Sequence, residues 1–123
     1  MSNGKQVITD SEYTIMKILW NTEQKMTVSD VIKALDGNDW TPSTVSTFLQ
    51  RLLKKKVISC EKKGNTNLYY PVMKQKDYDM SETESFLAKI YKGSVKNLVA
   101  ALYENKKLSK EDMSELKDMF DLE

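Results

Sequence analysis

Residues 40–56 read WTPSTVSTFLQRLLKKK and are the most informative segment of the chain. Thr41 suits the N-cap of a helix. Pro42 suits its first position, because a backbone N–H there would have no acceptor within the helix. Apolar residues then recur at the i, i+3, i+4, i+7 spacing of a buried helix face. The members of that face are Val45, Phe48, Leu49 and Leu52. The stretch therefore predicts an amphipathic helix over residues 42–55.

The other face of this helix carries small hydroxyl groups at its start and cations at its end. Short polar side chains suit a helix start that approaches base edges in a DNA groove, and cations further along suit phosphates. The residues expected to face bases are Ser43, Thr44, Ser46 and Thr47, with Gln50 on the same face; those expected to face phosphates are Arg51, Lys54 and Lys55. The alternative is an ordinary amphipathic helix with a solvated polar face.

The sequence after the helix predicts a β-hairpin. Residues 57–62 and 67–72 are strand-like, and Gly64-Asn65 between them is a hairpin signal. With the helices expected before residue 40, the order becomes helix, short strand, helix, helix, strand, turn, strand, which is that of a winged helix-turn-helix. Lys62 and Lys63 precede the turn and are expected to contact phosphates. The alternative is a hairpin that only covers the core.

Length and composition set the outer bounds. The 123 residues suit one domain or two very small ones, and no apolar run approaches the ~20 residues of a membrane span. The first residues are polar and lack the apolar core of a signal peptide. A single cysteine, Cys60, suits a reducing compartment. We therefore expect a cytoplasmic protein that is not inserted in a membrane.

The chain has no histidine, which excludes catalysis by a Ser-His-Asp triad or a Cys-His pair. It also lacks the commonest zinc ligand for the same reason. One cysteine cannot form a thiolate zinc site, and the 18 Asp and Glu are scattered over predicted helix surfaces. We expect no enzyme, no bound metal and no cofactor.

The net charge of +1 does not indicate nucleic-acid binding, but its distribution is informative. Residues 1–72 hold ten Lys and Arg against seven Asp and Glu, whereas residues 73–123 hold nine against eleven. Six cations lie between Arg51 and Lys63, with Glu61 as the one acid among them. A local basic patch of this kind is what DNA binding requires.

The sequence after residue 72 predicts a polar connector, residues 73–79, and then three short helices with apolar stripes. Three such helices cannot bury a stable core alone, so we expect them to pack on a second copy in a homodimer. The alternative is packing on the winged helix of the same chain. The residues expected at the dimer interface are Phe86, Ile90, Tyr91, Leu98, Leu102, Leu116 and Phe120. The expected organisation is mainly α with a small β component (α+β): a winged-helix DNA-binding domain over residues 1–72 and a helical dimerisation domain over residues 73–123.

The chain resembles the BlaI/MecI-type transcriptional repressors, the penicillinase repressor family. Three sets of residues carry the resemblance along nearly the whole chain. The first is Trp40-Thr41-Pro42 with Thr44-Val45, Thr47, Arg51-Leu52 and Lys54-Lys55; the second is Tyr69-Tyr70; the third is Phe86, Lys89, Tyr91-Lys92-Gly93, Leu98-Val99 and Leu108-Ser109.

The resemblance implies a homodimer that binds palindromic, double-stranded operator DNA and represses β-lactam resistance genes and its own operon. It also implies release through a membrane β-lactam sensor, whose activation leads to cleavage of the repressor in its dimerisation domain. The chain departs from the family in three places. Ala101-Leu102 stands where the resistance repressors have the Asn-Phe bond that is cut, the cysteine-rich tail of copper-responsive relatives is missing, and Lys56 stands where many members have Gly.

Two other functions fit the same fold. One is a winged-helix repressor of another operon that a small ligand releases. The other is a winged-helix protein–protein interaction module, against which the triple cation at residues 54–56 argues.

Overall fold

A computed structural model of the chain describes residues 7–120. In this part of the chain six helices and two strands follow one another, which confirms the mainly α, winged-helix expectation. The elements are α1 (Asp10–Trp20), α2 (Val28–Ala34), α3 (Pro42–Lys54), β1 (Ile58–Lys63), β2 (Thr66–Pro71), α4 (Gln75–Ile90), α5 (Val95–Glu104) and α6 (Lys110–Met119).

Capping residues fix where the first three helices begin. Thr9 and Glu12 form a capping box, so α1 begins at Asp10. Thr27 and Asp30 form a second capping box at α2. Thr41 caps α3 with Pro42 in its first turn, which confirms the start predicted from sequence.

A single hydrophobic core lies within residues 8–78. The apolar face predicted for α3 is confirmed, since three of its four members are fully buried and Phe48 packs against them. The buried apolar side chains are Ile8, Ile15, Met16, Leu19, Val31, Val45, Leu49, Leu52, Val57, Ile58, Tyr69 and Tyr78. Burial of this set supplies the main force that holds α1, α2, α3 and the hairpin together.

The two strands form an antiparallel hairpin with register Ile58↔Pro71 to Lys63↔Thr66. Gly64 has φ +64°, which a two-residue hairpin turn of the II′ type requires at its first position. Met26 pairs with Tyr69 through two backbone hydrogen bonds of 2.9 and 2.7 Å, so the loop after α1 extends the sheet beside β2.

The prediction of a polar connector over residues 73–79 is wrong, because α4 already begins at Gln75. Tyr78 is buried and stacks on Tyr13 and Trp20, with ring centroids 5.8 and 6.1 Å away. Trp20 donates a hydrogen bond from its indole Nε1 to the Met73 carbonyl at 2.7 Å. These long-range contacts stabilise a helical turn that local hydrophobicity does not indicate.

Backbone contacts divide the chain into two compact units, Met1–Asp79 and Met80–Glu123. The division follows Asp79 rather than Val72, because Tyr78 and Asp79 pack on α1 and Tyr13 donates its hydroxyl to Asp79 at 2.9 Å. The second unit holds the remainder of α4 with α5 and α6, and none of its described side chains is buried.

Candidate nucleic-acid interface

The polar face of α3 is open to solvent along its length. Most of the polar residues predicted on this face are exposed, and Ser46 is half-buried beside them. The exposed members are Ser43, Thr47, Gln50, Arg51 and Lys54. Hydroxyls therefore occupy the first turns and cations the last, as the sequence predicts. The face suits a groove in which the helix start meets base edges and the helix end meets phosphates.

Two hydroxyls of α3 already have partners within the helix. Thr44 is half-buried, and its Oγ1 accepts a hydrogen bond from Thr41 Oγ1 at 3.1 Å, so it takes part in the N-cap. Thr47 donates from Oγ1 to the Ser43 carbonyl at 3.0 Å, and its oxygen can still accept from a base. Thr44 is therefore less available for base contacts than Ser43, Ser46 and Thr47.

Lys55 does not join the exposed cations of α3. Its Nζ lies 2.5 Å from Oε1 of Glu12, whose side chain is only 1% exposed. Burial pushes the pKa of Glu12 upward, but hydrogen bonds from Lys55 and the Thr9 backbone, with the charges of Lys55 and Arg51, outweigh it and lower the pKa. The Glu12–Lys55 pair connects the end of α3 to α1. The position of Lys55 therefore favours this ion pair over the phosphate contact that the sequence predicts.

The wing residues Lys62 and Lys63 are both exposed but point to opposite faces of the hairpin. Lys62 lies on the same face of β1 as Ile58 and Cys60, which is the face toward the core. Lys63 lies on the outer face with Glu61. Both lie directly before the Gly64-Asn65 turn, so a phosphate backbone passing the wing tip can meet either.

A hydrogen bond joins the wing to α3. Gln50 donates from Nε2 to the hydroxyl of Tyr69 in β2 at 3.4 Å. This bond holds β2 against α3. We call the polar face of α3 together with the cations of the hairpin tip the basic surface. It comprises Ser43, Ser46, Thr47, Gln50, Arg51, Lys54, Lys62 and Lys63.

Sequence reasoning missed Lys25, which reaches this region from the loop after α1. Its Nζ pairs with Glu61 at 3.0 Å and lies 4.7 Å above the Tyr70 ring. Lys25 and Glu61 are 36 residues apart, so the spacing of charges along the chain contains no signal for this contact.

In the second unit the residues predicted for dimerisation lie on α4, α5 and α6 or directly after them. Five of them are exposed, and Tyr91 and Leu98 are half-buried. Phe86 and Tyr91 pack edge to face with centroids 5.8 Å apart. The predicted cleavage bond Ala101-Leu102 lies within α5.

Over residues 7–120, no group of three or more Cys, Asp or Glu is placed to hold a metal ion. In the same range, no helix combines the length and the apolar character that crossing a membrane needs.

Comparison with known proteins places this chain in one family. The family model described as Penicillinase repressor matches residues 8–121. The penicillinase repressor of Bacillus licheniformis is 34% identical over 110 residues, which cover 89% of this chain and 85% of that protein. The methicillin resistance regulatory protein MecI of Staphylococcus aureus is 28% identical over 120 residues, 97% of each chain.

Two solved structures of BlaI match part of the chain. The solution structure of the DNA-binding domain of the repressor BlaI is 33% identical and has a TM-score of 0.52. The monomeric form of Bacillus licheniformis BlaI in complex with the blaP half-operator is 33% identical and has a TM-score of 0.50. Each comparison covers 63% of this chain and 94% of the solved chain. The chain belongs to the penicillinase repressor family.

Proposed function

We propose that the chain is a homodimeric repressor that binds palindromic operator DNA in the cytoplasm and controls β-lactam resistance genes and its own operon. The observation that carries the proposal is the basic surface: a helix with an exposed hydroxyl-rich start is hydrogen-bonded to the hairpin whose tip carries Lys62 and Lys63. The repressors named above supply the class of target gene.

On this proposal, α3 enters the major groove. Ser43, Ser46 and Thr47 contact base edges, because short hydroxyls let the helix backbone approach the bases. The cations at the far end of α3 and at the wing tip hold phosphates, which fix the orientation of the helix in the groove.

Footprinting of the full chain on the DNA upstream of its own gene tests this function. We expect protection of a palindrome whose half-sites are spaced by whole turns of the double helix. Thr47→Glu should abolish the protection, because it places a carboxylate against bases and phosphates. Ser114→Glu, which adds the same charge on the polar side of α6, is the matched control and should leave it intact. Protection that survives Thr47→Glu would remove α3 from the interface.

Dimerisation through the second unit is the next part of the proposal. Ten large apolar side chains between Met80 and Phe120 are exposed, and no described side chain of this unit is buried. The most exposed are Met119 at 70% and Phe120 at 63%. An apolar surface of this kind on three short helices is typical of an interface, and a two-fold axis would let the same stripes cover each other.

Sedimentation of the full chain at micromolar concentration tests the assembly. We expect a dimer, and we expect Leu116→Glu to give monomers with an unchanged first unit. A monomeric wild-type chain would contradict the proposal. The dimer also explains how a chain of modest charge binds tightly, since two linked domains engage two half-sites of one duplex.

Release by proteolysis is the last part of the proposal, and it involves a membrane β-lactam sensor system as the partner that triggers it. We assign the cut to residues 99–103, around Ala101-Leu102. This bond lies in the interior of α5, so a protease needs local unwinding of the helix to reach it. Mass spectrometry of the protein from β-lactam-treated host cells should find the fragment ending in this range. Intact protein with derepressed targets would show another route of release.

A further inference from the structure

The outer face of the wing carries a contact among three residues from three segments. Lys25 Nζ lies 3.0 Å from Glu61 Oε1 in β1 and 4.7 Å from the centre of the Tyr70 ring in β2. Backbone hydrogen bonds in both directions between Met26 and Tyr69 hold the loop that bears Lys25 against the sheet. The backbone of Lys25 is therefore anchored beside the wing.

Glu61 is the one acidic residue between Arg51 and Lys63. In the hairpin register Glu61 and Lys63 lie on the same face, two residues apart along β1. Two strand residues span about 7 Å, which long side chains bridge readily. Without another partner, the Glu61 carboxylate would therefore draw the Lys63 ammonium away from the wing tip.

We propose that Lys25 is a positioning residue of the wing: by pairing with Glu61, it leaves Lys63 free for a DNA phosphate. The inference rests on the proposed DNA-binding function and extends it to a residue outside the helix-turn-helix and the hairpin. The face of the Tyr70 ring attracts the Lys25 ammonium and so helps to hold it within reach of the Glu61 carboxylate.

The effect should fall on DNA binding rather than on folding. Both partners of the Lys25–Glu61 pair are about half exposed, and exposed ion pairs contribute little to stability. The number of phosphates engaged, in contrast, is given by the slope of log affinity against log salt concentration. On duplex DNA each phosphate contact adds about 0.9 to this slope.

The experiment measures binding of the full chain to a random-sequence duplex over a fourfold range of salt concentration. The variants are Lys25→Ala, Glu61→Gln, the double variant and Lys63→Ala. Lys76→Ala, which removes an exposed lysine of α4, is the control for net charge. We expect Lys25→Ala and Lys63→Ala each to lower the magnitude of the slope by about one unit per subunit. For each lost contact, the fall in affinity across that salt range becomes about threefold smaller. The double variant should regain the wild-type slope, the control should keep it, and all unfolding midpoints should agree.

Equal losses on removing Lys25 in the wild-type and Glu61→Gln backgrounds would show that Lys25 binds phosphate itself, and would overturn the proposal. A Lys25→Ala slope equal to that of wild type would overturn it as well. Wild-type protein that shows no salt-dependent binding to any duplex would refute the DNA-binding function itself, a result distinct from the other two.

Discussion

Replacing one member of the Glu12–Lys55 pair should destabilise the chain by an amount that depends on which member is replaced. Glu12 is the one charged side chain that is fully buried among residues 7–120. Its Oε1 accepts hydrogen bonds from Lys55 Nζ at 2.5 Å and from the Thr9 backbone at 3.1 Å. Lys55, in contrast, is 24% exposed and can turn toward water.

The difference in exposure sets the magnitudes. Lys55→Met leaves a buried carboxylate with the Thr9 N–H as its remaining close donor, and breaking a buried pair in this way costs about 3–5 kcal/mol of unfolding free energy. Glu12→Gln keeps a carbonyl oxygen for Thr9 and releases the ammonium of Lys55 to solvent. Its cost is the loss of one charge-assisted hydrogen bond, about 1.5–3 kcal/mol. The double variant should be more stable than Lys55→Met alone, because no buried charge is left without its partner.

Urea unfolding of the full chain at one fixed protein concentration measures these differences, since the proposed dimerisation would make stability depend on concentration. The pH dependence provides a second check. Because the pKa of Glu12 is lowered from 4.5 in the folded chain, its pair contributes stability above the unfolded value, and this is lost as pH falls through the folded value. The gap between wild type and Glu12→Gln should therefore shrink on acidification below about 4.5. A Lys55→Met variant as stable as wild type at neutral pH would show that the Glu12 carboxylate does not need its Lys55 partner.

Three further predictions follow from particular positions. Lys56 has φ +63°, so Lys56→Gly should relieve backbone strain and raise the unfolding free energy by about 1 kcal/mol, whereas Lys56→Ala should not, as urea unfolding will show. Ser46→Glu should abolish binding to the palindrome and leave the unfolding midpoint unchanged; tight binding by this variant in a gel-shift titration would contradict the placement of α3. Trp20→Phe removes the indole donor to Met73, so it should destabilise the chain by about 1 kcal/mol in urea unfolding, and no change would show that this bond is not needed.

The parts of the fold that local chemistry controls were predictable from sequence. Thr41 and Pro42 set the start of α3, its apolar spacing set the buried face, and Gly64 set the turn of the hairpin. In each case the residues that decide the structure lie within one or two turns of one another, so their pattern is visible along the chain.

The features that sequence reasoning missed depend on contacts between distant residues. Lys55 and Glu12 are 43 residues apart, so a run of three lysines gave no sign that the middle one turns inward. Tyr78 is the one apolar residue in the polar stretch 74–79, and its packing on Tyr13 and Trp20 stabilises the start of α4 at Gln75. Tertiary packing overrides local preference at both places.

Titration of the full chain onto a duplex that carries the palindrome upstream of its gene, beside a random duplex of equal length and at equal salt, tests whether the chain is a dimeric, sequence-specific DNA-binding protein. We expect two chains per palindromic duplex and an affinity at least about a thousandfold above that for the random duplex, with both affinities falling steeply as salt is raised. Equal affinity for the two duplexes, or binding that does not respond to salt, would contradict this expectation.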